Sequence, residues 1–403
     1  RLPMRYEATY TQGLTMEFDE YTIDVPDRPA DKDIINWRLP ISQQKFAYEQ
    51  LPDFKTMNAQ ELENYSELMW HKRLNGQWQW INGTAYMIPG GAWFFFNFWT
   101  TTRGERPKFR LEALEFFWFW YLYVEKTPSV TGCICIKCRR IGDSEKVLSI
   151  MYERTTRYFN YPGGMQSYTD EEAKKAYERI VRSHKKMPFF FKPKHSGTMS
   201  EELKFHRPSE AVTVKKLKEA RGEVIESSDG EFLDSSISYR ATVNLAFDGQ
   251  ILGTYVMDEC AKIPHYKMDI RLQYDNIRRV LTLNNGMTVF GKALLLSTVE
   301  EKSTNDPDNS TVEMAEKLWD DSNPNDLNGN GQTKTGLVRI FRGFEKNAQI
   351  DDFGMPKVEE ARRYRQNQID TLLKDKNYTE LLSLYRKEPE TVQEAFSKST
   401  TNC

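Results

Sequence analysis

Lys137-Cys138-Arg139-Arg140-Ile141-Gly142-Asp143-Ser144 follows a short apolar run, Gly132-Cys133-Ile134-Cys135-Ile136, and leads into a helix-forming stretch, 145–159. Strand, glycine-bearing turn and helix form the layout that binds phosphate. Backbone N–H groups and the helix N-terminus hold the anion, a lysine neutralises it, and a hydroxyl holds Mg²⁺. Against the pattern G-x-x-x-x-G-K-[ST], Gly142 and Ser144 fit, while the lysine place holds Asp143, of opposite charge. The first glycine place holds Lys137, which supplies a cation from the other end of the loop, and Arg139 and Arg140 add more positive charge. By its residues alone the segment reads either as a nucleotide loop or as an ordinary basic turn after a buried strand.

A second element ends in two adjacent acids: Leu252-Gly253-Thr254-Tyr255-Val256-Met257-Asp258-Glu259. In a site of this kind Asp258 belongs to the Mg²⁺ shell, and Glu259 polarises the water that attacks the terminal phosphate of ATP. An Asp-Glu pair after a strand is common. It carries more weight after a phosphate-type turn, 114 residues beyond Ser144 (258 − 144). A third run, Lys292-Ala293-Leu294-Leu295-Leu296-Ser297-Thr298, is apolar and exits on a hydroxyl pair, suited to touching the phosphate or its water. The alternative for it is a buried strand with a polar exit. The three elements in this order favour ATP hydrolysis.

These residues need a scaffold. Apolar runs at 132–136, 165–168, 252–257, 293–297 and 337–341 alternate with helical stretches at 145–159, 169–184 and 266–283. That alternation predicts an α/β fold with a mainly parallel sheet flanked by helices. A strand pair is expected from 236–244 and 252–257. Upstream, Asn75-Gly76 and Asn82-Gly83 predict two hairpin turns amid tryptophans and tyrosines. An aromatic helix is expected over 107–125, and a charged helical segment over 358–397. The organisation read from this is an N-terminal extension with aromatic hairpins (1–105), a core (106–345) and a helical lid or linker (346–403).

The 403 residues correspond to about two to three domains. Lys plus Arg number 56 and Asp plus Glu 58, so a uniformly basic nucleic-acid coat is excluded and any such site is a local patch. No apolar run reaches the roughly 18–20 residues of a membrane span, so no membrane partner is expected. Cys133, Cys135 and Cys138 suggest zinc, but no matching second ligand pair exists, and core cysteines in a reducing cytoplasm are the favoured reading. Asp326-Leu327-Asn328-Gly329-Asn330-Gly331 begins like a Ca²⁺ loop, yet position twelve is Leu337, which favours a plain loop.

The ordered set resembles the large terminase subunit of tailed phages, of the Bacteroides-phage and crAss-like type. Lys137 to Ser144 is similar to the family's variant Walker A, Tyr255 to Glu259 to its Walker B, and Leu296-Ser297-Thr298 to its coupling motif. Glu388-Pro389-Glu390-Thr391-Val392-Gln393-Glu394-Ala395-Phe396 resembles the signature that closes the motor region. The resemblance implies a P-loop NTPase fold of the additional-strand, catalytic-Glu type, an ATPase that drives double-stranded DNA into a procapsid. It implies ATP and Mg²⁺ as cofactors. The implied partners are a portal protein, a small terminase subunit and a homo-oligomeric ring, in the host cytoplasm and transiently on the procapsid, with the isolated chain mostly monomeric. Lys137, Arg139, Arg140, Gly142 and Ser144 are then the nucleotide residues, Ser144 and Asp258 the metal residues, Glu259 the catalytic acid, and Ser297 and Thr298 the coupling pair. No nuclease is expected, because the chain stops at Cys403.

Two places depart from the family. An acid facing phosphates repels them, so Asp143 must point away or the turn is weakened, and Asp143→Lys is expected to be tolerated. The family's arginine finger is missing where Asp248-Gly249 stands, which leaves Arg240 as a candidate. The stretch 182–221 carries eleven Lys/Arg against four Glu, an excess of seven. It reads either as a solvated face or as a DNA-backbone contact using Lys185, Lys186, Lys192 and Lys194. The rival functions are a helicase-like ATPase and a non-catalytic P-loop assembly protein.

Overall fold

The computed structural model describes residues 12–18, 20–206, 232–299 and 310–397. The chain opens with a hairpin of β1 (Gln12–Phe18) and β2 (Tyr21–Pro26). Helix α1 (Ala59–Asn75) follows, its start fixed by a reciprocal capping box of Asn58 and Glu61. The expected turn at Asn75-Gly76 is instead the end of this helix, with Gly76 at φ 72° as its cap. The second expected turn is a hairpin: Asn82-Gly83 joins β3 (Gln77–Ile81) to β4 (Thr84–Ile88). Helix α2 (Gly90–Phe98) is buried along its whole length. The aromatic helix expected at 107–125 is α3 (Leu111–Trp118), continued by a π-helical turn, Phe119–Val124.

The alternating part runs β5 (Gly132–Lys137), α4 (Asp143–Thr155), β6 (Gly163–Ser167), α5 (Asp170–Lys186), β7 (Glu202–Lys204), β8 (Ser236–Tyr239) and β9 (Thr254–Asp258). It continues with α6 (Ile270–Val280), the small hairpin β10 (Thr282–Leu283) and β11 (Thr288–Val289), β12 (Lys292–Ser297), α7 (Ser310–Asp320) and β13 (Leu337–Arg342). Helices α8 (Val358–Lys374), α9 (Tyr378–Lys387) and α10 (Val392–Ala395) close it. Seven strands form one sheet in the order β13-β5-β12-β9-β6-β8-β7, parallel except for the β7–β8 pair. The strands expected to pair at 236–244 and 252–257 are separated by β6. Strand β12 inserts between β5 and β9, although it follows both in the chain.

Side-chain alternation explains why the middle strands are apolar throughout. Cys133 and Cys135 join one hydrophobic cluster, and Ile134 and Ile136 the other. Leu294 and Leu296 divide from Ala293 and Leu295 in the same way. A parallel strand covered on both faces must be apolar at every position. The N-terminal aromatics belong to the first of these clusters, together with Val147 and Leu148 of α4. Buried Arg73 of α1 joins them: its guanidinium lies over Trp70 and Phe94 and donates to Glu153 O (2.8 Å) and Thr156 Oγ1 (2.6 Å). Phe190 and Phe191 are buried too, while Phe189 is exposed. Asn328 Oδ1 accepts the N–H groups of Asn330 and Gln332, so the Ca²⁺-like loop is a self-bonded turn.

Tyr152 of α4 meets the buried His184 of α5 at 3.0 Å from Nδ1. Burial, Lys192 and His195 push the His184 pKa down to about 3. The unfolded chain takes up this proton near pH 6.5, the folded chain near 3, so stability falls as pH drops through that window. Between about pH 6.5 and 5 the loss is about 1.5 kcal/mol from this group. Urea unfolding should therefore show a shallower acid decline in His184→Gln than in the native chain; equal declines would rule the assignment out.

Candidate nucleotide site

The sheet register carries the chemistry to one edge. Ser297 pairs with Ile136, and Asp258 with Leu296 and Ser167, so Lys137, Asp258 and Ser297 all stand at the carboxyl ends of parallel strands. This is the side on which α/β sheets bind ligands. After β5 the loop needs two left-handed residues, Arg140 (φ 62°) and Gly142 (φ 82°), the latter capping α4. Gly142 has nothing within 4 Å of where a Cβ would sit, so its backbone conformation, rather than crowding, calls for glycine.

Lys137 Nζ donates to Glu259 Oε1 at 2.9 Å. The other oxygen, Oε2, accepts Thr298 N at 3.2 Å and Thr298 Oγ1 at 3.0 Å, and lies 3.1 Å from Lys262 Nζ. Glu259 itself is left-handed, φ 55°, a strained backbone for a side chain of this type and one that clusters at functional sites. Burial raises the Glu259 pKa, but Lys137 and Lys262 outweigh it, so the carboxyl sits below its ordinary range. Burial lowers the Lys137 pKa, but Glu259 and Asp258 outweigh it and raise it. Asp258 moves the other way: burial and then Glu259 raise its pKa, against Lys137, a Ser144 hydrogen bond and Arg179.

The residues present fit a Mg²⁺ ion. Among the described residues Asp258 Oδ1 is buried with no hydrogen-bond partner, and the nearby Ser144 hydroxyl favours the charged form of the same carboxyl group. Carboxylate and hydroxyl oxygens are the donors a hard divalent cation takes when it also keeps water and phosphate.

Asp143 does point away from the loop. Its carboxylate is buried 2.7 Å from Lys146 Nζ and 3.3 Å from Arg342 Nε, and it accepts a long contact from Cys135 Sγ. Glu112 completes the cluster, 3.0 Å from Lys146 Nζ and ion-paired with Arg342. Burial raises the Asp143 pKa, but Arg342 and Lys146 outweigh it and lower it. This overturns the expectation that Asp143→Lys is tolerated, because a lysine there would be a third buried cation facing one carboxylate. We expect it to lower stability by about 3–5 kcal/mol, read as a fall in the urea midpoint, with Asp143→Asn milder. A lysine variant as stable as the native chain would rule this out.

The remaining sequence-predicted residues separate. Ser297 turns inward, accepting Ala261 N at 3.0 Å and donating to Thr298 O at 2.8 Å, so Thr298 is the one of the pair that touches Glu259. Arg139 and Arg140 are exposed on the loop. Arg139 N donates to Lys387 O, which ties the loop to the end of α9. Arg240 follows β8, with β6 between β8 and β9, and lies over Phe247. Lys185, Lys186 and Lys192 meet around the end of α5, where Lys192 Nζ bonds Lys185 O and Lys186 Nζ bonds Gly104 O, and Lys194 follows two residues on. Of the basic stretch, Arg207, Lys215, Lys216, Lys218 and Arg221 lie outside the described residues. Sequence reasoning missed Lys262, Arg179 and the Glu112–Lys146–Arg342 cluster. Only Lys262 had a local signal, three residues beyond Glu259.

Neither a protein-family model nor a curated protein sequence matches the chain. Solved structures that it is similar to include phage large terminases. The ATPase domain of the Thermus phage P74-26 large terminase matches 66% of this chain and 90% of its own, at 13% identity and a TM-score of 0.41. For the HK97 bacteriophage large terminase the shares are 72% and 53%, with 12% identity and a TM-score of 0.42. For the large terminase of a thermophilic bacteriophage in complex with ADP they are 64% and 50%, with 12% identity and a TM-score of 0.32. The chain thus spans about half the length of the last two proteins. Among the described residues no helix is long and apolar enough to cross a membrane.

Proposed function

We propose that the chain hydrolyses ATP and uses the energy to move double-stranded DNA into a viral procapsid, as the motor part of a terminase. The observation that carries the ATPase reading is the meeting of Lys137, Ser144, Asp258, Glu259 and Thr298 at the carboxyl edge, with β12 between β5 and β9. The loop amides, the N-terminus of α4 and Lys137 hold the phosphates. Ser144 and Asp258 would hold Mg²⁺, which supplies charge neutralisation for the phosphates. Glu259 orients and polarises the attacking water. Its depressed pKa keeps it ionised at neutral pH, and moving Lys137 onto phosphate would raise that pKa and make it a better base. Thr298 links Glu259 to β12, so a change at the carboxylate is felt in the sheet. The DNA role is supported by the ordered motifs and the closing signature, in which Thr391 caps α10 and Glu394 accepts Arg365 at 2.7 Å. Asp143, whose charge is wrong for a phosphate loop, is held by Lys146 and Arg342.

The test is ATP turnover with Mg²⁺, with and without double-stranded DNA. We expect slow basal turnover that rises with DNA and falls back steeply with salt, since the contact is to phosphates. No nucleotide binding at millimolar ATP would defeat the ATPase reading. Turnover indifferent to DNA, to portal protein and to salt would defeat the motor reading alone.

A further inference from the structure

Away from the nucleotide edge, the outer strand β13 and the segments beside it enclose a groove of about 520 Å³. Trp319 of α7, Phe341 of β13, and Val392 and Phe396 at the chain's last helical turn give it an apolar floor. Around that floor stand Glu20, Glu316, Asp320 and Arg339, three carboxylates against one guanidinium. The guanidinium is already engaged: Arg339 bonds both oxygens of Glu20 (3.0 and 2.8 Å) and lies over Trp319. By its described lining the groove carries more carboxylates than cations.

The backbone of β13 adds an independent feature. Arg342 O accepts Cys138 N, so Val338, Ile340 and Arg342 face β5, and Leu337, Arg339 and Phe341 face outward from the sheet. Such an edge is a template for pairing with another extended chain. Here most of it is capped by side chains. Leu337 N donates to Thr335 Oγ1, and Leu337 O accepts Thr333 Oγ1. At Arg339 a single phenol does both jobs: Tyr21 Oη accepts the N–H at 2.9 Å and donates to the carbonyl at 2.7 Å. Phe341 is the outward residue left over, and among the described residues neither its N–H nor its C=O has a partner. It also lines the groove.

We propose that this groove binds a short extended segment of another protein, in which an arginine or lysine neighbours an apolar residue. One residue of the segment exchanges N–H and C=O bonds with Phe341. Its apolar side chain fills the space over Trp319, Val392 and Phe396, and the adjacent basic side chain meets the acidic rim at Asp320. A single open rung limits the register to one residue, and the pocket beside it sets the side-chain choice, the division of labour expected when a strand adds to a sheet edge. The site is independent of the nucleotide reading and stands or falls without it.

The probe is a fluorescein-labelled peptide, acetyl-Arg-Leu-Arg-Val-Arg-amide, titrated with the full chain by fluorescence anisotropy at physiological salt. Its acidic counterpart, with glutamate for each arginine, serves as the control. We expect binding of the basic peptide alone, weakened about tenfold by the double change Glu316→Lys and Asp320→Lys. N-methylating the peptide backbone at each position in turn should weaken binding about tenfold at one position only. That scan uses the native chain, so the proposal is tested even if the double variant does not fold. Equal binding of the two peptides, or a flat N-methyl scan, overturns it. Self-association of the native chain that the double variant abolishes, with no binding of the peptide, also overturns it, by assigning the groove to a second copy.

Discussion

Glu259→Gln leaves nucleotide binding intact and lowers ATP turnover by on the order of 10²–10⁴. The amide keeps the size of the side chain and an oxygen that still accepts from Thr298 N and Oγ1, so the left-handed turn at Glu259 has no reason to move. Asp258 and Ser144 are untouched. What is lost is the charge that, in the proposed reaction, orients and polarises water. The same loss frees Lys137, which in the native chain is ion-paired to Glu259 at 2.9 Å. ATP must compete for that lysine, so the variant should bind ATP at least as tightly as the native chain. Equilibrium titration with a fluorescent ATP analogue and a phosphate-release assay check the two halves. Native turnover in the variant would remove Glu259 from the reaction, and lost binding would make it part of the scaffold.

Lys137→Ala carries the second large effect, and it should fall on binding and turnover together. A charge-assisted contact to phosphate is worth about 1.5–3 kcal/mol, roughly 10–10²-fold in affinity. Among the described residues no cation takes the usual lysine place, which Asp143 occupies, itself held by Lys146 and Arg342. The fold should survive the change better than loss of a buried partner usually allows, because Lys262 still faces the Glu259 carboxylate. The informative comparison is with Arg139→Ala and Arg140→Ala, whose side chains are exposed on the same loop. If those two destroy binding and Lys137→Ala does not, the phosphate cation is an arginine of the loop, and the Lys137–Glu259 pair is structural.

Much of this could be read from the chain because it is local. A strand buried on both faces must be apolar at each step, which makes 132–136 and 293–297 visible as strands, and an apolar run that ends in Asp258-Glu259 marks both the strand and its exit. Caps are local as well: Thr169 does accept Glu172 N at the start of α5. Where the local signal was ambiguous, the longer-range fold chose. Asn75-Gly76 suits a hairpin or a helix end, and the run of α1 toward buried Met69, Trp70 and Leu74 selected the helix end.

The rest depended on contacts between residues far apart in the chain. Strand order is one case, since β12 lies between β5 and β9 and β6 between β9 and β8, with nothing in any single strand to say so. The charges are the clearer case. Lys137 and Asp143 sit six residues apart, one for the site and one against it by sequence. Lys137 finds Glu259, 122 residues away, while Asp143 is turned inward by Lys146 and by Arg342 of β13. Burying a charge is costly unless a partner meets it, so the side chains that orient the loop are those the folded sheet and α3 bring to it. The residue types and their spacing along the chain determined which chemistry was possible at this edge. The packing of β13, α3 and α4 decided which charges face the carboxyl edge of the sheet and which are spent holding the loop.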